Sequence, residues 1–199
     1  QTSLVVDPPD GKIPSLTADG QKRVEARRGF QTNNAREEGG VGRGFDSWED
    51  RPLGERCITS FGNNAGPPML PNYFYNNSYT IVQSKDTVVF LTEMVHDARI
   101  VPMDGRAHLP ASVRQWMGDS RGHWEGETLV VETTGFSAKS DMLGSSIGLH
   151  LVERFTRIAD NVLQYDATMS DPTTWTQPWT VRINFKQTQE PLIEYACHE

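Results

Sequence analysis

From residue 79 onward the chain is a succession of strand-like segments joined by short links, and this pattern constrains the fold more than any other feature. Apolar and β-branched residues alternate with polar ones, which is typical of strands with one buried face. The segments are 80–83, 87–95, 98–101, 126–136, 149–158, 161–169, 179–185 and 192–197. Consecutive strands with short links favour an antiparallel meander, and about seven or eight of them suffice to close a barrel. We therefore predict a mainly β fold with a calycin- or lipocalin-like barrel.

The N-terminal part has a different character. Residues 1–16 contain three prolines, which exclude a helix and favour an extended arm with an apolar tip. Residues 17–28 predict a short helix, because Thr17 is a suitable N-cap. We expect one or two such helices. The predicted division is an arm with short helices over residues 1–59, packing on a barrel domain over residues 60–199.

Charge and composition exclude several partners. The 199 residues carry a net charge of −7 and contain no basic run. Nucleic acid is an unfavourable partner for such a chain, because phosphate contacts require clustered Lys and Arg. The same argument disfavours anionic membrane surfaces, and no apolar run approaches the ~18 residues of a spanning helix. We expect neither nucleic-acid binding nor membrane insertion.

The two cysteines, Cys57 and Cys197, leave two possibilities open. They lie far apart without CxxC spacing, which excludes a zinc site made of cysteines. They are either unpaired thiols or one disulfide that ties the N-terminal region to the C-terminus. A chain that begins at Gln1 is what signal removal leaves, although a boundary set in another way would look the same.

Carboxylates share strand faces with apolar residues in four segments. Alternation places Glu93 with Val89, Leu91 and Val95, and it places Glu153 with Leu151 and Phe155. Glu132 and Glu194 are in the same situation on their own strands. Inside a barrel, these side chains would form a polar network with neighbouring basic groups. The alternative is that they pair across strands or lie on a solvated outer face.

This network supplies the candidate residues for acid/base chemistry. In such a site Glu93 or Glu153 would be the base and His96 or His150 the acid. Arg99 or Arg154 would hold an anionic group of the ligand. Ligand-binding candidates also include Glu132, Glu194 and four tryptophans near strand ends that could stack on a sugar or aromatic ring, Trp116, Trp124, Trp175 and Trp179. The alternative for the tryptophans is core or rim packing.

Signals for metal or nucleophilic catalysis are weak. His96, His108 and His150 could converge in space, but the chain has neither HxH nor HExxH. Residues 118–122, GDSRG, place a serine beside an acid, and the plainer interpretation is a type I turn. Residues 110–117 predict one helical turn that starts at proline. No nucleotide-binding glycine motif follows a strand, so no organic cofactor is expected.

Several longer motifs carry a resemblance. They are GDSRGHWEGETLVVETTGF (118–136), LHLVERFTR (149–157), DPTTWTQPWT (171–180), EYACHE (194–199), DSWEDR (46–51), ERCI (55–58) and HDARIVPMDGRAHLP (96–110). Through them the chain resembles, over nearly its whole length, a family of uncharacterised, signal-bearing bacterial proteins that has no assigned activity. The resemblance implies export to the periplasm or the cell exterior. Export in turn favours the disulfide between Cys57 and Cys197.

Three hypotheses follow from the sequence. The first is a secreted β-barrel that binds, and in one version transforms by acid/base chemistry, a small polar or aromatic molecule such as a carbohydrate or phenolic. The second is a structural extracellular protein that assembles through residues 1–16, whose apolar tip would add a strand to the next subunit. The third is a metalloprotein that uses His96, His108 and His150.

Overall fold

The computed structural model describes residues 3–26, 67–70, 77–93, 98–140 and 142–193. One helix, α1, covers residues 18–26 of this part. The same described residues contain nine strands, which are in chain order β1 (Val5–Asp7), β2 (Tyr79–Gln83), β3 (Thr87–Thr92), β4 (Ala98–Pro102), β5 (Asp119–Glu125), β6 (Thr128–Thr134), β7 (His150–Ala159), β8 (Val162–Ser170) and β9 (Trp179–Lys186). The prediction of a mainly β chain is confirmed.

The strands form two antiparallel sheets. The larger has six strands in the order β1-β9-β8-β7-β6-β5, and the smaller has three in the order β2-β3-β4. Apart from β1, each strand pairs with its neighbour in sequence, which is the predicted meander. The predicted closed barrel is not found among the described residues. The meander is interrupted between β4 and β5, which belong to different sheets.

Alternation sets the buried face of each sheet. Leu151, Glu153 and Phe155 of β7 are buried while the residues between them are half-buried, and β8 repeats the pattern. Strand β3 shows the same period. It buries Val88 and Phe90, whereas Val89 and Leu91, which were predicted to share a face with Glu93, lie toward the other face. Both faces of β3 are apolar, so alternation alone does not show which of them is buried.

The two sheets pack face to face through aromatic side chains. Phe90 of β3 stacks on Phe155 of β7 with ring centroids 5.0 Å apart. Tyr165 of β8 continues the contact to Phe155, and Phe185 of β9 joins it to Tyr79 of β2 at 5.6 Å. These rings bury large apolar areas and carry much of the packing between the sheets.

Strand β5 and the segment before it depart from the sequence predictions. Residues 119 and 120, assigned to a turn from the sequence, are the first residues of β5. Gly122 leaves room for the side chains that pack on β5, because a Cβ there would lie 2.3 Å from Met103 Sδ and 2.9 Å from a methyl group of Val101, and both side chains would have to shift. The predicted helical turn at 110–117 is wrong. Residues 111–112 form a turn instead, and Gln115 makes an isolated bridge to Phe136.

The N-terminal arm packs on its own chain. Strand β1 pairs with β9, with Val5 opposite Val181, and Val5 is buried. Helix α1 follows, and Thr17 Oγ1 accepts a hydrogen bond from Gly20 N–H at 3.0 Å, as an N-cap does. The arm therefore extends its own sheet, and the hypothesis of assembly through residues 1–16 gains no support from it.

Candidate functional site

A buried ion pair joins the facing sheets. Arg99 on β4 and Glu153 on β7 form it between Nη2 and a carboxylate oxygen. Glu153 is 0% exposed and Arg99 is 7% exposed. Val101 and Leu151 lie two residues away from Arg99 and Glu153 on the same strands, and therefore on the same faces. Because both belong to the core, Arg99 and Glu153 also face inward. Such a pair is costly to bury, so its remaining hydrogen-bonding groups need partners.

Arg99 is held by three side chains of the large sheet. Its Nε–H donates to Ser120 Oγ at 3.0 Å, and Nη2 donates to Thr133 Oγ1 at 2.8 Å and to Glu153. Ser120 Oγ and Thr133 Oγ1 lie 2.9 Å apart and share a further hydrogen bond. The guanidinium carbon also lies 5.5 Å from the centroid of the Phe90 ring, a favourable cation–π distance.

Glu153 is bound on its other oxygen by a tyrosine. Tyr165 Oη donates to Glu153 Oε1 at 2.8 Å and accepts from Met69 N–H at 2.8 Å. Burial raises the pKa of Tyr165 well above its usual value, and the Glu153 charge adds to this. Tyr165 is therefore a neutral donor. Arg99, Ser120, Thr133, Glu153 and Tyr165 are called the interior cluster below.

Two buried donors beside this cluster have no protein acceptor among the described residues. They are Nη1 of Arg99 and Oη of Tyr79. Burial raises the pKa of the Tyr79 hydroxyl, and the negative charges of Glu93 and Glu153 raise it further. Tyr79 is thus a protonated donor near the same carboxylate that binds Arg99. An unpaired buried donor costs roughly 1–3 kcal/mol. Among the described residues, His108 Nε2 and Trp179 Nε1 are also buried without a partner, and what distinguishes Arg99 and Tyr79 is the charge of Glu153 that acts on both.

The structure divides the predicted carboxylate network between two faces. Glu153 and Arg99 meet inside, and Glu93 lies near Tyr79, where its Oε2 accepts from Ser78 N–H at 3.2 Å. Glu132 and His150 lie on the outer face of the large sheet, with His150 Nε2 2.6 Å from Glu132 Oε1. They remain 45% and 43% exposed. Glu153 and His150 are therefore on opposite faces of β7 and do not act on one ligand together.

The outer face of the large sheet carries further ion pairs. Arg154 donates to Glu125 at 2.5 Å, and Arg182 forms two hydrogen bonds with Asp166 at 2.6 and 2.7 Å. Exposed pairs of this kind contribute about 0–1 kcal/mol each. Arg154 thus follows the alternative of cross-strand pairing, and not the predicted position inside.

The four tryptophans occupy different environments. Trp175 and Trp179 are core residues, 2% and 1% exposed, with ring centroids 5.5 Å apart in an edge-to-face contact. Trp116 is half-buried. Trp124, at 48% exposed, is the one whose ring is most accessible to solvent among the four. Core packing, the alternative considered for these residues, describes Trp175 and Trp179.

Four predicted residues lie outside the described part of the chain. They are His96, Glu194, Cys57 and Cys197. The acid/base role of His96, the ligand role of Glu194 and the disulfide stay predictions.

The histidines of the metal hypothesis have separate partners where the structure describes them. His108 Nδ1 lies 2.9 Å from Asp119 Oδ2, whereas His150 pairs with Glu132 on the outer face. Burial alone would raise the pKa of Asp119, but hydrogen bonds from Leu109 N–H, His108 and Arg121 outweigh it and lower the pKa. Within the described ranges, no three His, Cys, Asp or Glu side chains are grouped as metal ligands would be.

A second buried carboxylate fixes helix α1 and the segment 171–175. Asp171 accepts hydrogen bonds from Ser145 Oγ at 2.5 Å and Thr174 Oγ1 at 2.6 Å, and its other oxygen accepts from Thr173. Arg23 of α1 donates to Thr174 Oγ1 at 2.7 Å. All of these groups are satisfied by one another, which is the pattern of a structural network.

Comparisons with known proteins add no family to this description. A scan of family models, a search of curated proteins and a search of solved structures each returned no match to the chain. No helix of the described residues is both long enough and apolar enough to span a membrane.

The sequence missed the uncharged members of the site. Tyr79, Tyr165, Ser120 and Thr133 were not among the predicted residues, because hydroxyl groups on strands are common and carry no charge signal. The alternation of inward-facing and outward-facing residues along each strand could have indicated these hydroxyl groups. Ser120 and Thr133 are directly opposite each other across β5 and β6, and Thr133 is opposite Leu151 on β7, which shares a face with Glu153.

Proposed function

We propose that the protein binds a small polar or aromatic molecule between its two sheets, at the interior cluster and Tyr79. The observation that carries this proposal is the pair of buried donors without a protein acceptor, Arg99 Nη1 and Tyr79 Oη. A ligand that supplies acceptors to both would remove the cost of burying them unpaired. Aromatic side chains around the cluster would contact its apolar part.

The energetics of the ion pair also support a binding role. Replacing a buried ion pair by well-packed apolar residues is often neutral or stabilising, so stability alone is a weak reason for Arg99 and Glu153 to be inside. Ligand sites are typically apolar surroundings with a few convergent polar groups. The surroundings of Arg99 have this composition, with Phe90, Phe155 and Val101 beside Ser120 and Thr133.

The proposal is tested by calorimetric titration of four probes. They are phenol, 4-hydroxybenzaldehyde, methyl β-D-glucoside and D-galacturonate. We expect at least one to bind to the wild-type protein and to bind at least tenfold more weakly to Arg99→Met. Arg182→Met is the matched control, because it removes the same group from the outer face, where it pairs with Asp166.

Equal affinity in all three proteins would place binding elsewhere and overturn the proposal, as would the absence of binding by every probe. Because Arg99→Met leaves Glu153 buried without its charge partner, the variant is at risk of misfolding. Tyr79→Phe is the second variant. It removes one hydroxyl group and is expected to weaken binding while leaving the ion pair intact.

We also propose that the protein is exported and that it binds its ligand in the manner of a calycin. Support for export comes from the resemblance of motifs such as 118–136 and 149–157 to those of signal-bearing bacterial proteins. Support for calycin-like binding comes from the antiparallel meander and from the ion pair of Arg99 and Glu153 that is buried within it. A disulfide between Cys57 and Cys197 would follow from export.

A further inference from the structure

The charges of the interior cluster already balance. The guanidinium of Arg99 is compensated by the carboxylate of Glu153, with which it is in direct contact. A second carboxylate at Arg99 Nη1 would add an uncompensated negative charge to a buried region. Burying such a charge costs several kcal/mol, and at short range in a low dielectric it is also repelled by Glu153.

The hydrogen bonds of the cluster leave two donor hydrogens of Arg99 without an acceptor. Arginine has five N–H groups. In Arg99 the Nε hydrogen binds Ser120 and the two Nη2 hydrogens bind Thr133 and Glu153, so both hydrogens on Nη1 remain. Each carboxylate oxygen of Glu153 accepts one hydrogen bond, Oε2 from Arg99 Nη2 and Oε1 from Tyr165, and neither oxygen accepts one from Arg99 Nη1. What Nη1 needs from a ligand is therefore acceptor oxygens.

Tyr79 adds a further donor in a negative environment. Its hydroxyl group has no acceptor among the described residues, and the charges of Glu93 and Glu153 act on it. The Tyr79 hydroxyl group should therefore donate to an uncharged oxygen more favourably than to an anion, because the carboxylates of Glu93 and Glu153 would repel an anion. The second donor thus favours the same type of ligand as the first.

The apolar surroundings determine the remainder of the ligand. Phe90 and Phe155 are stacked beside Arg99, and Tyr165 and Phe185 continue the row of rings toward Tyr79. A body that contacts these side chains is apolar or aromatic. A fully hydroxylated sugar would bring many donors of its own to a place that already has donors in excess.

We propose that the ligand is an uncharged, carbonyl-bearing molecule with an apolar or aromatic body, whose oxygen acceptors bind Arg99 Nη1 and Tyr79 Oη. This inference rests on the proposed function and narrows the substrate class from polar or aromatic molecules to neutral carbonyl compounds. It also assigns Tyr79 as a ligand-binding residue.

Three probes of similar shape test the inference in NMR titrations of the full chain at pH 7. Acetophenone is a neutral ketone, benzoate is the anion of similar size, and ethylbenzene lacks the acceptor. We expect acetophenone to bind at least tenfold more tightly than either of the others. Tyr79→Phe should weaken the binding of acetophenone about fivefold, because one hydrogen bond is lost. The affinity for ethylbenzene should not change. Thr168→Val is the control, because it removes a hydroxyl group from the outer face.

The outcomes separate this inference from the proposed function. If benzoate binds more tightly than acetophenone and loses its affinity in Arg99→Met, the site exists but takes anions, and only the inference is overturned. If ethylbenzene binds as tightly as acetophenone, the acceptor has no role and the inference is again overturned. If none of the three binds while one of the four probes of the proposed function does, the site exists and only the inference is overturned; if all seven fail to bind, both are overturned.

Discussion

The ion pair between Arg99 and Glu153 gives the most informative test of the interior. Arg99→Met leaves the Glu153 carboxylate buried with Tyr165 alone, and Glu153→Gln leaves the guanidinium buried without a counter-charge. Removing one partner of a buried pair costs about 3–5 kcal/mol. The double variant contains neither charge, and Gln keeps an acceptor for Tyr165. We expect its loss to be smaller than the sum of the single losses by about 2–3 kcal/mol.

The assay is urea unfolding at pH 7, followed by tryptophan fluorescence, because Trp175 and Trp179 are buried in the core. The control cycle is Arg182→Met with Asp166→Asn, a pair of the same chemistry on the outer face. Its coupling should be about 0–1 kcal/mol. If the Arg99 and Glu153 variants are additive, or couple no more strongly than the control pair, the two residues do not form the buried pair described here.

Three further predictions concern other parts of the chain. Gly20→Ala should destabilise the protein by about 1–3 kcal/mol in urea unfolding, although Ala is the better helix former, because its Cβ would lie 2.5 Å from the carbonyl oxygen of Thr174. Asp171 has a lowered pKa, since its hydrogen bonds outweigh the opposing effect of burial, so its contribution is present above about pH 4 and is lost as pH falls further. The stability advantage of the wild type over Asp171→Asn should therefore shrink on acidification, and a gap that grows would refute the assignment. Thiol titration of the protein unfolded without reductant should detect no free Cys57 or Cys197, and reduction should cost about 2–5 kcal/mol of stability; two reactive thiols would contradict the disulfide.

The sequence predicted most strands but not how the sheets are arranged. Strands β7 and β8 are recognisable because branched and aromatic residues alternate with polar ones over a long stretch. Strand β5 was missed because its inner positions are Ser120 and Gly122, which are small where β4 packs against them. The break between β4 and β5 has no local signal in the chain, since strand pairing is decided by contacts distant in sequence. The meander is confirmed, whereas its closure into a barrel is not found among the described residues.

The candidate site was predictable in its charged members and not in its geometry. Alternation correctly placed Glu153 with Leu151 and Phe155, and it placed His150 on the other face of the same strand. It could not show which face was interior, so residues from both faces entered one predicted network. The donors of Arg99 and Tyr79 that lack acceptors are a property of packing between two sheets, and periodicity within one strand contains no information on it.

A crystal structure of the protein with acetophenone shows directly whether Arg99 and Tyr79 bind a carbonyl ligand. The measurement is the identity of the atoms within hydrogen-bonding distance of Arg99 Nη1 and Tyr79 Oη. We expect the ligand's carbonyl oxygen at one or both of these donors, with its ring against Phe90 and Phe155. A side-chain or backbone acceptor of the chain itself at both donors would satisfy them without a ligand and would refute binding at this site.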